Sequence, residues 1–437
     1  MDSNDSGPLI FEEQSGPKDV EIGLSVEDND LNIQLDSQTK KLKASYFVGV
    51  DRLYSSNNVF YRTAVVQPKK HYDYLKMFCC VFNLIEHSEF NYLADSYYIK
   101  FNEQKLSVNQ DLEDYLSPLM ICHYVGLLEK LIKRGLKRGY VYREENLKSK
   151  IKGAIKVSSN IRSNIIKQRF EYTVCGYCEF TPDIIENRVL KLALIYSKKF
   201  LVSNEKSELK VKVNKLLSHF SSVSSEVKIS ELKQVKNNKI FFFYPEAIRL
   251  AKLILKRFDY SIDNVQEKNS ETYPYWIDMS KIYELYVLTK LRAIYGEEIK
   301  FQVYDNKKNS IADYLRIGIE DEDKWILDAK YKPTYDKGDS SDINSDIGQL
   351  CRYARNKDIL SYLYKNKELA NLNVIPICII IHPQNPDKSN NQIATEPFDD
   401  MKKDKSFNEL LKANVFCKIE PYINFYKLKI RLPVKTN

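Results

Sequence analysis

IADYLRIGIEDEDKWILDAKYK, residues 311–332, is the stretch that decides the fold. Two β-rich runs, Ile311 to Ile319 and Lys324 to Tyr331, flank the acidic turn Glu320-Asp321-Glu322-Asp323, which predicts two adjacent strands. Side chains alternate faces along a strand, so Asp328 and Lys330 share one face while Ala329 points away. A carboxylate and an ammonium are thereby presented together, and Asp313 on the neighbouring strand can bring a second carboxylate to the same edge. Two carboxylates and the backbone carbonyl of Ala329 make a hard oxygen site suited to Mg²⁺. Such an ion polarises a phosphodiester and acidifies a bound water; a lysine beside it orients or helps deprotonate that water and offsets developing negative charge. The competing reading is a salt-bridged hairpin without chemistry, because an acid-x-Lys triplet alone arises by chance in a chain this rich in Lys, Asp and Glu.

Outward from the hairpin, apolar spacing at Ile282, Leu285, Leu288 and Leu291 predicts a helix over roughly 279–295, followed by a strand at Phe301 to Tyr304. Beyond the hairpin a helix is predicted from about Ile343 to Leu363, and the apolar run Val374 to Ile381 reads as a buried strand. Helix, three strands, helix, strand is the order of an α/β domain with a mixed sheet flanked by helices. Gln349 and Tyr353, four residues apart, share one face of the second helix, and Glu284 lies on the first. The ordinary alternatives are a polar pair on a helix surface for Gln349 and Tyr353, and an i, i+3 ion pair with Lys281 for Glu284.

The chain of 437 residues is 43% hydrophobic and 29% charged, in the range of globular rather than disordered proteins. No apolar run approaches the 18 or so residues that span a bilayer, and acids stand where a signal peptide would place positive charge, so no membrane association and a cytoplasmic location are expected. Residues 1–39 hold ten acids against one lysine, a net of −9, which leaves +17 on the remainder of a chain whose formal charge is +8. A basic body suits a polyanionic partner. The acidic residues 1–40 read as a flexible leader. Residues 41–260 read as an α+β region, which the resemblance given below makes the partner- and DNA-interaction part, with strands at Tyr46–Val50 and Val59–Val66 around the turn Ser55–Asn58. Helices are predicted at about 71–88, from a Ser117-Pro118 start to Gly135, and at 183–202 and 245–258. Within residues 128–156, ten bases face three acids and are interleaved with Tyr140 and Tyr142. Lys133, Arg134, Lys137, Arg138 and Arg143 are therefore candidates for phosphate contact, with a solvated helix end as the plain alternative. Polar residues at 259–275 mark a boundary before a domain at 270–437 that holds the hairpin. Cys175 and Cys178 form an isolated CxxC with no second ligand pair at zinc spacing, and read as ordinary buried thiols. No GxxxxGK[ST] phosphate loop is present.

The set Glu284, Asp313, Asp328-Ala329-Lys330, Gln349 and Tyr353 resembles the PD-(D/E)xK nuclease superfamily, in the branch that adds a Gln-x-x-x-Tyr helix. Upstream, LIKRGLKRGYVYREENLKSKIKGAIKV (131–157) and EFTPDIIENRVLKLAL (179–194) resemble the McrC family, the nuclease subunits of McrBC-type restriction systems. The resemblance runs from about residue 60 onward. It implies a restriction-endonuclease-like C-terminal fold and a Mg²⁺-dependent DNA endonuclease, with Mn²⁺ able to substitute. The ion would be held by Asp313, Asp328 and the Ala329 carbonyl, with Glu284 as a further ligand. It also implies a McrB-like AAA+ GTPase ring as partner, whose hydrolysis the nuclease subunit stimulates. Ala312 stands where the superfamily has its named proline, and Cys178 where the family often has an acid; the acidic leader has no counterpart. A stand-alone restriction-type nuclease would share the same site, and a non-cleaving DNA-binding activator would keep only the basic face.

Overall fold

The computed structural model describes residues 8–14, 30–35, 41–54, 60–84, 87–108, 114–201, 208–227, 243–258, 271–305, 311–332, 340–364, 375–384, 398, 401 and 403–435. They form two compact units, Met1–Leu112 with Ser270–Asn437, and Glu113–Asn269. The sequence-based boundary at 259–275 lies next to one division. The other, after Leu112, has no marker in the sequence, and residues 41–112 join the C-terminal domain instead of the segment that follows them. The reason is a strand exchange: Tyr275–Asp278 pairs antiparallel with both Phe47–Tyr54 and Tyr97–Ile99, so the returning chain fills the middle of a sheet begun near the N-terminus. Gly49 permits that closure, because a Cβ at this position would stand 2.1 Å from the Tyr275 carbonyl oxygen.

Among the described residues the first unit holds two large sheets and two short two-stranded ladders, Gln34–Leu35 with Leu42–Lys43 and Leu106–Ser107 with Glu271–Thr272. The N-terminal one has five strands in the order Leu9–Glu12, Phe60–Gln67, Phe47–Tyr54, Tyr275–Asp278, Tyr97–Ile99. Its first strand corrects the reading of residues 1–40 as a flexible leader. Leu9–Glu12 runs parallel to Phe60–Gln67, and Phe11, Leu31 and Ile33 are buried in a cluster with Leu42, Ala44, Leu53, Ala64 and Val66. The acids of the segment lowered its mean hydropathy enough to hide three core residues. The expected strands at 46–50 and 59–66 are present, whereas the turn Ser55–Asn58 between them lies outside the described residues.

The C-terminal sheet has six strands in the order Ile299–Tyr304, Ile311–Ile317, Lys324–Ala329, Ile377–Pro383, Phe425–Ile430, Cys417–Lys418. The first three are antiparallel, and Ile377–Pro383 and Phe425–Ile430 then add in parallel, giving the mixed sheet expected. On one face Leu315, Ile326 and Cys378 pack with Ile347, Leu350, Ile359 and Leu363 of two helices. On the other, Trp325 meets Tyr295 edge-on at 5.5 Å, bringing in the helix Met279–Tyr295. That helix begins where expected because the Asp278 carboxylate accepts hydrogen bonds from the Ser280 and Lys281 amides. The single helix expected over 343–363 is two, Ser340–Ala354 and Lys357–Leu363. Asn356 interrupts it by accepting the amides of Asp358 and Ile359 through its own side chain, a local cap that competes with helix continuation.

The second unit packs the helices Leu116–Lys133, Ile185–Phe200, Glu208–His219 and Tyr244–Arg257 beside a three-stranded sheet of Gly139–Lys148, Tyr172–Thr181 and Ala154–Ile155. The first helix starts one residue before Ser117, and Asp114 rather than Ser117 serves its open end, accepting the Ser117 amide and hydroxyl. Gly135, in the left-handed region at φ +89°, closes it as the sequence predicted. Buried Asn187 links the bundle to the loop after it, donating to the carbonyls of Lys137 and Pro182 and accepting from Tyr244. Cys175 is buried and Cys178 exposed on the strand Tyr172–Thr181. Three residues apart on a strand, they face opposite ways, so they do not form a pair, and only one of them is the buried thiol expected.

His123, within the first helix, is fully buried and burial, aided by Arg249, pushes its pKa down to about 3. The unfolded chain takes up this proton near the ordinary histidine value, so stability falls as pH drops below it, by up to about 1.4 kcal/mol per pH unit. His123→Gln should flatten this slope between pH 6 and pH 4 in chemical denaturation.

Candidate active site

The strand Lys324–Ala329 is buried along its whole length and lies between an antiparallel and a parallel neighbour. A run buried on both faces must be apolar, as Trp325, Ile326 and Leu327 are. The polar residues follow at its C-terminal end, where the sheet opens. There the Lys330 amide donates to the Ile381 carbonyl at 2.8 Å, which continues the ladder one residue beyond the strand. Asp328 is fully buried. Its Oδ2 stands 2.8 Å from Lys330 Nζ, and its Oδ1 has no hydrogen-bond partner among the described residues.

Lys330 Nζ also donates to Gln349 Oε1 at 2.8 Å, and Gln349 Nε2 donates to the Tyr353 hydroxyl. The two helix residues thus form a chain that ends on the lysine. Asp313 reaches the same place from the adjacent strand, its Oδ2 accepting the Ala329 amide at 2.9 Å. Glu284, from the helix on the other face of the sheet, lines a cavity of about 580 Å³ with Asp313, Gln349 and Tyr353. All six side chains singled out in the sequence therefore converge on one site. The ion pair with Lys281 is not formed by Glu284. Its carboxylate instead accepts from the Tyr92 hydroxyl and from Gln302 Nε2 at 3.2 Å.

Burial dominates the electrostatics. It raises Asp313 well above the usual carboxylate range, with repulsion from Asp328 and Glu284 added. Asp328 is raised by burial and restrained by the Lys330 charge. Glu284 is pushed up to about 7, mainly by burial, against the Tyr92 hydrogen bond. Burial also works against the Lys330 ammonium, but Asp328, Asp313 and Asp346 outweigh it and hold the group protonated above the lysine range. Lys330 in this arrangement is a cation paired with Asp328.

Three further side chains belong to the site. Tyr92 and Gln302 orient Glu284, and Arg352 lines the cavity. Gln302 sits in the left-handed region at φ +50° within a strand, a conformation that costs free energy for a residue with a Cβ and so marks a position held by its surroundings. Tyr92 carries no local sequence signal. Arg352 could have been found, being three residues from Gln349 on one helix face.

The five basic residues proposed for phosphate contact lie in the second unit and have differing surroundings. Lys137 is ion-paired with Glu186 at 2.6 Å. Arg143 is bound by Glu179 at 2.7 Å and Asp183 at 3.4 Å. Arg134 lies over the Phe243 ring at 4.7 Å, while Lys133 and Arg138 are exposed.

Among the described residues no group of three or more His, Cys, Asp or Glu forms a ready-made metal cage, and none of the helices is long and apolar enough to cross a membrane. The donor set nevertheless suits a hard divalent cation. Asp328 is a buried oxygen donor with an unpartnered oxygen, Asp313 a half-buried one at the cavity wall, and the repulsion between them is what a cation relieves.

A mixed sheet between helices, with two carboxylates and a lysine together at one strand end, defines this as an α/β protein with a carboxylate–lysine site. The family of McrBC 5-methylcytosine restriction system components matches residues 42–361, and the chain belongs to it. Among solved structures, the chain is similar to one of a half-complex from the tetradecameric assembly of Thermococcus gammatolerans McrB AAA+ hexamers with bound McrC. Identity is 15%, with 93% of this chain and 84% of that chain covered and a TM-score of 0.37. A second, of the Thermococcus gammatolerans McrBC complex, shows 16% identity over 65% of this chain and 87% of that chain, with a TM-score of 0.31. No curated protein matches.

Removing one partner of the Lys330–Asp328 pair leaves a buried charge without compensation. Lys330→Met should therefore lower stability by about 3 kcal/mol at pH 8 in metal-free buffer. Lys330→Met combined with Asp328→Asn should recover part of that loss, as read by urea denaturation.

Proposed function

We propose that this chain is the nuclease subunit of a McrBC-type restriction system, a Mg²⁺-dependent DNA endonuclease that works with an AAA+ GTPase ring. The observation that carries the reading is the convergence of Glu284, Asp313, Gln349 and Tyr353 on one cavity, with Lys330 bonded to Gln349 and paired with Asp328 beside it. Membership of the family supports it.

Asp313, Asp328 and the Ala329 carbonyl would hold Mg²⁺, with Glu284 at the rim. A bound Mg²⁺ supplies Lewis-acid polarisation of the scissile phosphate and a more acidic water. The protein residues do the rest. Lys330, fixed between Asp328 and Gln349, presents a positive charge where a phosphoryl oxygen becomes more negative. Gln349 and Tyr353 hold its Nζ in place. Glu284, with a pKa near neutrality, can accept a proton at the working pH, and Tyr92 and Gln302 fix its carboxylate for that role. Arg352 offers the cavity a cation for the DNA backbone. Exposed Lys133 and Arg138 are candidates for phosphate contact in the second unit, and the contact with the AAA+ partner is assigned to the residues before 260.

Asp328→Ala and Asp313→Ala should each reduce cleavage of 5-methylcytosine-containing plasmid by at least about 10²–10³-fold in Mg²⁺ with partner and GTP present. DNA binding should be kept or improved, since a negative charge near the phosphates is removed. Full cleavage by both variants would dismiss this site. Lys330→Met should lose as much of the rate constant, whereas Gln349→Ala and Tyr353→Phe should lose about tenfold, because they act through the lysine.

In the same assays Asp328→Ala should stimulate GTP hydrolysis by the ring as well as the wild-type chain does. If the chain cuts modified DNA unaided and stimulates no ring, it is a stand-alone nuclease.

A further inference from the structure

The N-terminal segment, outside the matched family region, carries a buried acid with no part in the chemistry above. Glu13 is fully buried. Its Oε1 accepts from the hydroxyls of Tyr74 at 2.6 Å and Tyr331 at 2.8 Å, and from the Lys69 amide at 3.2 Å. Gln14 donates through its side-chain amide to the Tyr331 carbonyl, and its Oε1 receives Lys69 Nζ at 2.8 Å. Both residues follow directly on the strand Leu9–Glu12, and the Glu13 amide extends the sheet by donating to the Gln67 carbonyl. A hydroxyl, a carbonyl and a ring of one residue are thus all engaged, since Lys69 Nζ also stands 5.7 Å from the centre of the Tyr331 ring.

Tyr331 immediately follows Lys330. Its ring packs on Tyr283 at 5.3 Å, and Tyr283 immediately precedes Glu284. One tyrosine therefore touches both segments that deliver side chains to the cavity, from the sheet and from the helix. Its place is fixed by an acceptor that arrives from more than 300 residues away in sequence. Three donors converge on a single oxygen, so the site needs an acceptor there.

We propose that Glu13 is a positioning residue for the nuclease site: the N-terminal strand holds Tyr331, and through it Lys330 and Glu284, in the arrangement that cleavage uses. This rests on the nuclease reading above. The segment is then a working part of the C-terminal domain, although it lies outside the family match.

The test uses the full chain with its AAA+ partner, methylated plasmid DNA and Mg²⁺, and compares Glu13→Leu, Glu13→Gln, Tyr331→Phe and Ile33→Ala. Glu13→Leu keeps the volume but removes the acceptor, and should lower kcat about tenfold with KM for DNA within about twofold. Glu13→Gln keeps the oxygen and should stay within about twofold of wild type. Tyr331→Phe removes the same hydrogen bond from the other end and should match Glu13→Leu, which keeps the test decisive if Glu13→Leu fails to fold. Ile33→Ala loosens the same segment through its apolar cluster and should lower Tm without changing kcat. Amide hydrogen exchange at residues 329–332 should quicken in Glu13→Leu and Tyr331→Phe but not in Glu13→Gln. Unchanged kcat in Tyr331→Phe, or an equal loss of kcat in Ile33→Ala, would overturn the proposal. If the wild-type chain cuts nothing, the nuclease reading fails by itself, and the exchange comparison still decides whether Glu13 positions this strand end.

Discussion

The ion pair of Lys330 and Asp328, 2.8 Å apart with the carboxylate fully buried, is the constraint on which the rest of the C-terminal domain depends. Two charges at the end of a buried strand cost desolvation free energy that their attraction offsets only when the remaining polar atoms are also served. The structure supplies this for the lysine, through Gln349 and the nearby Asp346. It does not supply it for Asp328, whose Oδ1 is left without a donor, or for Asp313, which accepts a single backbone amide from Ala329. A fold selected only for stability would have an apolar side chain at 328. An unsatisfied carboxylate kept there is therefore a candidate functional group and not a packing element.

Holding such a cluster together requires rigid surroundings, and the two faces of the sheet provide them differently. One helix delivers Gln349 and Tyr353 from the face on which Ile326 and Leu350 pack. On the other, the Tyr314 hydroxyl donates to the Glu284 carbonyl, so the helix Met279–Tyr295 is tied to the central strands at the residue that lines the cavity. The helix starts at Asp278, itself the last residue of a strand in the N-terminal sheet. The N-terminal sheet is thus covalently continuous with the helix bearing Glu284, and residues 41–112 could not belong to a separate domain without breaking that geometry.

Legibility in the sequence followed the range of the forces involved. The hairpin 311–332 and its carboxylates could be read because period-2 alternation and turn chemistry are local. Gln349 and Tyr353 could be read because an i, i+4 spacing fixes a shared face. The break at Asn356 was local too, but a side-chain cap in a helical pattern was outweighed there by apolar spacing. Tyr92 and Gln302 were not legible, since each reaches Glu284 across the tertiary structure. The strands Cys417–Lys418 and Phe425–Ile430 were missed because the alternation in FYKLKI is short and surrounded by lysines. The assignment of residues 8–14 and 30–35 to a flexible leader failed for a different reason. Average charge dominated the reading, while Phe11, Leu31 and Ile33, few and widely spaced, decided the outcome.

Charge counted along the chain also misleads about charge in space. The segment 1–39 carries a net of −9, which suggests an acidic tail set against a basic body. Yet two of its described acids are consumed internally. Glu13 is buried against two tyrosines and the Lys69 amide, and Asp30 lies 2.9 Å from Lys100, which also binds Asp51 at 3.0 Å. The basic stretch 128–156 behaves likewise, with Lys137 and Arg143 bound to acids of their own unit. Long-range electrostatic attraction for a polyanion depends on the charges left over after such pairing. Lys133 and Arg138 are therefore stronger candidates for the phosphate backbone than the two bases beside them, although all four contribute equally to the sequence total.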